Sequence, residues 1–230
     1  DLRVRRAMSK AINRKAIADR VMEGQAVPSG QLVSDHLFGF VPTLKADAYD
    51  PEGAKKLLAA AGYPDGFNLT IHGPAGRYVN DEKIVQAVAQ MLTRIGIVCK
   101  VETSPMGPYS SRASKQEFSF HMVGWGASTG EASSPLRSLL ATYDASKGLG
   151  AVNWGRYSNP KVDYLIEQSL QQVDDDNRRV MLQRATQLAM DDLGLMPVHF
   201  QFTIWATRKG VQYTPRTDEY TLAYQFHAIK

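Results

Sequence analysis

The chain has 230 residues, 43% of them hydrophobic and 22% charged, with a net charge of +4. That is enough apolar material for a sizeable core in one large or two small domains, and it excludes a disordered chain. The single cysteine, Cys99, excludes an intrachain disulfide framework and a multi-cysteine metal site, and no apolar run reaches the ~18 residues of a membrane-spanning helix.

In chain order, residues 2–12 place Val4, Ala7, Met8, Ala11 and Ile12 at helical spacing. Asn13 suits the N-cap of a second helix carrying Ile17 and Val21, which Gly24 stops. Residues 25–49, with Pro28, Gly30, Gly39 and Pro42, read as a long surface loop or an excursion with function. Asp50-Pro51-Glu52 opens a helix over 51–61, and Gly62 ends it. A strand over 67–71 alternates, and then gives way to the loop His72-Gly73-Pro74-Ala75-Gly76-Arg77-Tyr78. A helix over 81–95 shows Ile84, Val88, Met91, Leu92 and Ile95 on one face, and Gly96 stops it.

A second strand covers 98–101, and Cys99 within it reads as a buried small hydrophobe. Residues 108–115 look helical. Residues 118–125 are so continuously apolar that they predict a third strand covered on both faces. Helices follow over 135–143, after Asn159-Pro160, and after Asp174-Asp175-Asp176, whose charges suit a helix N-terminus. Residues 197–205 predict a strand with Val198, Phe200, Phe202 and Ile204 on one face, and the tail 211–230 is aromatic but weakly patterned. No repeat is visible. The alternation of strands and helices predicts an α/β fold with crossover helices.

Arg3, Arg5, Arg6, Lys10, Arg14 and Lys15 are spread along helical positions and predict a solvated face; nothing groups basic and aromatic residues as a nucleic-acid binder does. The five histidines lack metal-ligand spacing, Ser128 is flanked wrongly for a nucleophile elbow, and no phosphate loop is present. No catalytic residue, metal or cofactor is therefore assigned, and the chain reads as a non-enzyme. Asp1-Leu2-Arg3 shows neither an initiator Met nor a signal peptide, so this reading expects the chain to begin within a longer protein.

Ligands in open α/β sheets sit beyond the carboxyl ends of the strands. Two such ends are chemically unusual here. One carries Arg77 and Tyr78, the other carries Trp125 followed by Gly126, Ala127 and Ser128. Small residues let a ligand reach the backbone. If the strands are parallel, the two ends share a cleft. Trp154 is a further candidate contact. Glu131 reads as a solvated loop carboxylate.

The segments "VRRAMSKAINRKAI" (4–17), "AYDPEGAKKLLAAAGYPDGFNLTI" (48–71), "VGWGASTGE" (123–131), "NWGRYSNPKVDYLI" (153–166) and "MPVHFQFTIWATRKGV" (196–211) resemble the C-terminal half of the family 5 extracellular solute-binding proteins. The resemblance implies a lobe of the type II periplasmic-binding-protein fold, a mixed sheet flanked by helices. Residues 1–210 would form the ligand-binding lobe, and the tail 211–230 would belong to the hinge and an N-terminal lobe of the same polypeptide, absent here. It implies a periplasmic or lipid-anchored receptor that captures a peptide or similar small solute and passes it to an inner-membrane ABC permease, without a cofactor.

In dipeptide-binding members an arginine matching Arg77 grips the peptide carboxylate, as a guanidinium can in a dry cleft. An aspartate after the Gly-Trp pair holds the α-amine. Here that position is Ser128, which carries no charge. Glu131 is a nearby candidate to replace it. The departure leaves room for a nickel chelate, an opine, a sugar or a modified peptide as ligand, and a sensory or catalytic domain borrowing the fold is the alternative of another class.

Overall fold

The computed structural model describes residues 1–229. Helix α1 (Leu2–Ala11) starts where the Asp1 carboxylate accepts from the Arg3 N–H. Asn13 caps α2 (Arg14–Ala16) through the Ala16 N–H, and the helix widens into a π-turn over Ile17–Val21. Asp50 caps α3 (Pro51–Ala60) through the Gly53 N–H, with Pro51 in the first turn.

The central sheet is parallel, in the order β3 (Ile97–Pro105), β2 (Phe67–Ala75), β4 (Phe120–His121). Strand β2 (Phe67–Ala75) pairs with β3 (Ile97–Pro105) from Phe67↔Ile97 to Ala75↔Pro105, and α4 (Asp81–Thr93) crosses between them. After α5 (Met106–Ser114), β4 (Phe120–His121) lies on the other side of β2, with Ile71↔Phe120 and His72↔His121 in register. Helix α6 (Ser133–Pro135) runs into a second π-turn, Leu136–Leu140. Helices α7 (Pro160–Gln171) and α8 (Asp175–Asp191) follow, with Asp174 capping α8. A short antiparallel pair joins β1 (Ala26–Pro28) to β5 (His199–Gln201), and another joins β6 (Val211–Tyr213) to β7 (Phe226–Ala228). The α/β class is as expected; parallel and antiparallel pairing occupy separate sheets.

Two large cores result. One gathers Ile12, Ile17, Leu58, Ile71, Val85, Leu92 and Ile97 around the sheet; the other gathers Val33, Leu136, Leu140, Val162, Ile166 and Leu182. A small third core, Tyr109, Ala113 and Phe118, lies against Trp154. Cys99 is half-buried against the first core rather than enclosed in it.

Arg3 and Lys15 are solvent-facing as expected, but Arg5, Arg6 and Arg14 are not. Arg5 donates to the Asp192 carbonyl at 3.0 and 2.9 Å, Arg6 to the Asp191 carbonyl at 2.8 Å, and buried Arg14 to the Pro197 carbonyl at 2.7 Å. The last carbonyls of α8 lack intrahelical partners and carry partial negative charge, so the Arg5 and Arg6 guanidinium groups satisfy them.

Four strand boundaries differ from the sequence reading, the first being β3, which runs over Ile97–Pro105 and not only 98–101. Strand β2 continues through His72, Gly73 and Pro74, because β3 is long enough to pair with all of it. Of residues 118–125 only Phe120 and His121 form a strand, and the run is half-buried rather than covered on both faces. Past His121 the Met122 N–H still reaches the His72 carbonyl at 2.9 Å, but the Met122 carbonyl accepts from the Tyr109 hydroxyl at 2.6 Å. A side chain thus replaces the ladder. Of 197–205 only His199–Gln201 pairs, since β1 is three residues long; Phe202 and Ile204 are 50% and 69% exposed.

The Tyr63-Pro64-Asp65-Gly66 turn sets the start of the sheet. Gly62 and Gly66 both have positive φ, 94° and 75°, but a Cβ at Gly62 meets nothing within 4 Å while one at Gly66 falls 1.9 Å from the Gly96 carbonyl oxygen. Gly62→Ala should therefore cost about 1–2 kcal/mol from backbone conformation. Gly66→Ala should add about 1–3 kcal/mol of overpacking. Urea unfolding of the two variants checks the order; equal losses would contradict it.

Candidate functional site

Strands β2 and β4 are parallel neighbours; β2 runs on to Ala75 past the last pair, His72↔His121, and the chain beyond β4 continues alongside it, so the two segments form one rim. Beyond β2 the chain turns sharply at Gly76 (φ 69°) into Arg77 and Tyr78. The Asp81 carboxylate, 4% exposed, shapes this turn. It accepts N–H groups from Gly76 at 3.3 Å, Arg77 at 2.8 Å, Tyr78 at 3.0 Å and Glu82 at 2.9 Å. Burial alone would push the Asp81 carboxyl up, but these hydrogen bonds outweigh it and hold it below the usual carboxylate range. The sequence marks Asp81 only as a helix start.

The exposed Arg77 guanidinium lies over the Tyr78 ring, 5.1 Å from its centroid. The Tyr78 hydroxyl donates to the Gly124 carbonyl at 3.2 Å. This bond ties the Arg77 turn to the segment leading into Trp125, and each of those two residues is one position from the bond. Gly124 is a site residue that the sequence did not single out: a Cβ there would fall 2.7 Å from the Tyr78 ring. Only the repeated small residues around Trp125 hinted at it.

Trp125 is 40% exposed, and its indole N–H donates to the Ser134 hydroxyl at 3.2 Å. Gly126 and Ser128 are exposed, and Ala127 leans on the second core. The Gly130 N–H closes a turn onto the Ala127 carbonyl at 2.9 Å. The long loop between β1 and α3 holds this segment from beneath: the Phe38 N–H donates to the Gly130 carbonyl at 3.1 Å, and the Phe38 carbonyl accepts from the Ala132 N–H at 2.9 Å.

Glu131 is not a solvated carboxylate, nor one free to meet a ligand. Both its oxygens pair with Arg178 at 2.6 Å, and it accepts from the Ser133 hydroxyl. The Arg178 guanidinium holds its carboxyl below the usual range, and Arg178 itself sits 5.5 Å over the Phe38 ring. The pair anchors the loop to α8.

Trp154 is half-buried beneath the rim, with its ring 6.3 Å from Tyr109 and 5.8 Å from His121. Buried Asn153 fixes its position by donating to the Ala141 and Tyr157 carbonyls. Trp154 thus meets the rim through Tyr109, whose hydroxyl holds Met122. Among the described residues no group of three His, Cys, Asp or Glu side chains could hold a metal.

Two titrations follow. Asp81 has a depressed carboxyl pKa, so its stabilisation is complete above the unfolded value of ~3.9 and is lost as pH falls through the folded value. Asp81→Asn should cost about 1–3 kcal/mol at pH 7 for the N–H groups left unpaired. Urea unfolding should show the gap to the unsubstituted protein closing below pH ~4. Burial, and then neighbouring His72, push His121 down to about 4. The unfolded chain therefore binds a proton that the folded chain refuses between pH ~6.5 and that value, and stability falls across the window. His121→Gln should flatten the fall; an unchanged pH profile would contradict the assignment.

The family described as bacterial extracellular solute-binding proteins, family 5 Middle, matches residues 1–147. A glutathione-binding protein of Escherichia coli is 32% identical over 190 residues, 80% of this chain and 36% of that protein. The dipeptide-binding protein of Escherichia coli is 28% identical over 195 residues, 84% of this chain and 36% of that protein. This chain thus spans a little over a third of the length of these relatives. In fold it is similar to HbpA2 from Haemophilus parasuis, with a TM-score of 0.87 at 23% identity over 100% of this chain and 45% of the other. It is also similar to the ABC transporter-associated periplasmic binding protein DppA from Helicobacter pylori, solved with a peptide, with a TM-score of 0.86 at 22% identity over 100% of this chain and 44% of the other. The chain belongs to the bacterial extracellular solute-binding proteins of family 5.

Proposed function

We propose that this chain is one jaw of a receptor that captures a peptide or similar small solute outside the cytoplasm and hands it to an ABC permease. The observation that carries the reading is the Tyr78–Gly124 hydrogen bond, which joins the turn bearing an exposed guanidinium to the segment bearing an exposed indole. Arg77 pairs with an anionic group of the ligand, and a guanidinium does this bidentately. Trp125 packs on the ligand, and the N–H and C=O groups at Gly126, Ala127 and Ser128 hydrogen-bond it. Tyr78 aligns Arg77, and Trp154 braces the floor. Relatives that bind a dipeptide and glutathione support a peptide-like ligand.

In this reading the opposite wall of the cleft is an N-terminal lobe of the same polypeptide, and residues 211–230 dock with it. Solvent-facing Tyr220, Tyr224 and Phe226 support that placement. The setting is the periplasm, or the outer face of the membrane through a lipid anchor. A single jaw leaves half the ligand in water, so this chain alone should bind far more weakly than the full-length polypeptide.

Calorimetry on the full-length polypeptide with alanyl-alanine, trialanine and glutathione tests the site. Arg77→Ala should weaken binding roughly tenfold to a hundredfold, the range of a charged hydrogen bond. Trp125→Ala should weaken it by about tenfold. Unchanged affinity in both variants would overturn the site.

A further inference from the structure

A polar cavity of about 80 Å³ lies where four segments of the chain meet, and it shares no lining residue with the rim. Helix α1 contributes Arg6 and Ser9, and α2 contributes Arg14. The loop between β1 and α3 contributes Lys45 and Asp47, and the end of α8 contributes Asp191. The loop wall is pinned. Buried Gln31 donates to the Val41 and Leu44 carbonyls at 2.9 and 3.3 Å and accepts from the Val41 N–H at 2.8 Å. Gly30 lets the loop close, since a Cβ there would fall 2.2 Å from the Ala46 nitrogen.

The lining carries more positive than negative charge. Arg6, Arg14 and Lys45 are set against two carboxylates, Asp47 and Asp191. Arg6 takes Asp47 Oδ1 at 2.9 Å, and Asp191 Oδ1 accepts from the Gln187 amide at 2.9 Å. Arg14 is 5% exposed and, among the described residues, has no ion-pair partner within 4.0 Å. A guanidinium buried without a counter-charge is costly. Burial pulls Arg14 below the ordinary arginine value, and the nearby Asp47 charge offsets this only in part.

Hydrogen-bond donors are left over at the same place. A guanidinium has five N–H hydrogens. Arg14 spends Nε on the Pro197 carbonyl at 2.7 Å and Nη1 on the Ser9 and Ile12 carbonyls at 3.0 and 3.5 Å. One Nη2 hydrogen goes to the Ser9 hydroxyl oxygen at 2.9 Å. Among the described residues neither the second Nη2 hydrogen nor the hydrogen of the Ser9 hydroxyl has an acceptor, and Ser9 is 1% exposed. Buried donors of this kind need a partner.

We infer that this cavity binds one small monovalent anion of the chloride class, received by Arg14 Nη2, the Ser9 hydroxyl and Arg6. One negative charge balances the lining. The volume holds two or three waters at ~30 Å³ each, so a halide ion fits with a water beside it. The ion ties α1 and α2, which carry first-core residues such as Ile12, to the end of α8, which carries Met190 of the second core. It thereby fastens the two large cores to each other.

Crystals of the full-length polypeptide soaked in sodium bromide test this directly. Anomalous scattering should show bromide in the cavity beside Arg14 and Ser9. A cavity holding only water would overturn the site, and so would bromide confined to the outer surface, which is an adventitious ion only. In solution, exchanging gluconate for chloride at constant ionic strength should raise the Tm of the full-length polypeptide by roughly 1–3 °C, because a ligand of the folded state stabilises it. Ser9→Ala places a good helix former in α1 and should lose most of that chloride-dependent rise. A purely structural role for Ser9 would lower Tm equally in both salts. No rise in the unsubstituted protein, or an equal rise in Ser9→Ala, would overturn the inference.

Discussion

Four backbone N–H groups converging on one buried carboxylate set the geometry on which the rest of the rim depends. A parallel strand that stops leaves polar backbone behind it, and buried polar groups must find partners. At the end of β2 the Asp81 side chain supplies them, and in doing so fixes where Arg77 and Tyr78 point. At the end of β4 the same need is met by hydroxyls: Tyr109 takes the Met122 carbonyl and Tyr78 takes that of Gly124. The segment after β4 is therefore held in place without being covered. Its backbone at Gly126 and Ser128 stays open to a ligand.

The scaffold behind the rim is rigid for ordinary reasons. Helices α1, α3 and α4 close the first core against the sheet, and arginines of the N-terminal helices bind the carbonyl end of α8 and the start of the last segment. The Glu131–Arg178 pair and the Phe38 bridge fasten the Trp125 segment to the second core. A charged pair of this kind, half-buried and bidentate, fixes geometry more than it adds stability. The rim is thus built from two cores at once, which lets short exposed turns present charge in a fixed direction.

Much of this was legible in the sequence where local chemistry decides. Asp50-Pro51 and Gly62 delimit α3, Gly96 ends the turn after α4, and Asp174 caps α8, because caps and left-handed glycines act within a few residues. The order of elements allowed a parallel arrangement, and the β2–β4 pairing supplies it. What was not legible depends on distant partners. The apolar run 118–125 looked like a covered strand, yet Tyr109 and Tyr78 interrupt its ladder. Arg5, Arg6 and Arg14 looked solvated because their carbonyl partners lie more than 180 residues away. Glu131 and Glu219 are alike as letters. Glu131 is spent on Arg178, and among the described residues Glu219 forms no ion pair; only the fold separates them. The two π-turns carry no sequence signal.

The central claim is that Arg77 and Trp125 border one ligand site. A crystal structure of the full-length polypeptide with a bound peptide tests it most directly. The account predicts an anionic ligand group at ~2.7–2.9 Å from the Arg77 guanidinium, with the ligand body against the Trp125 indole. A bound peptide elsewhere in the molecule, with both side chains still facing solvent, would contradict it.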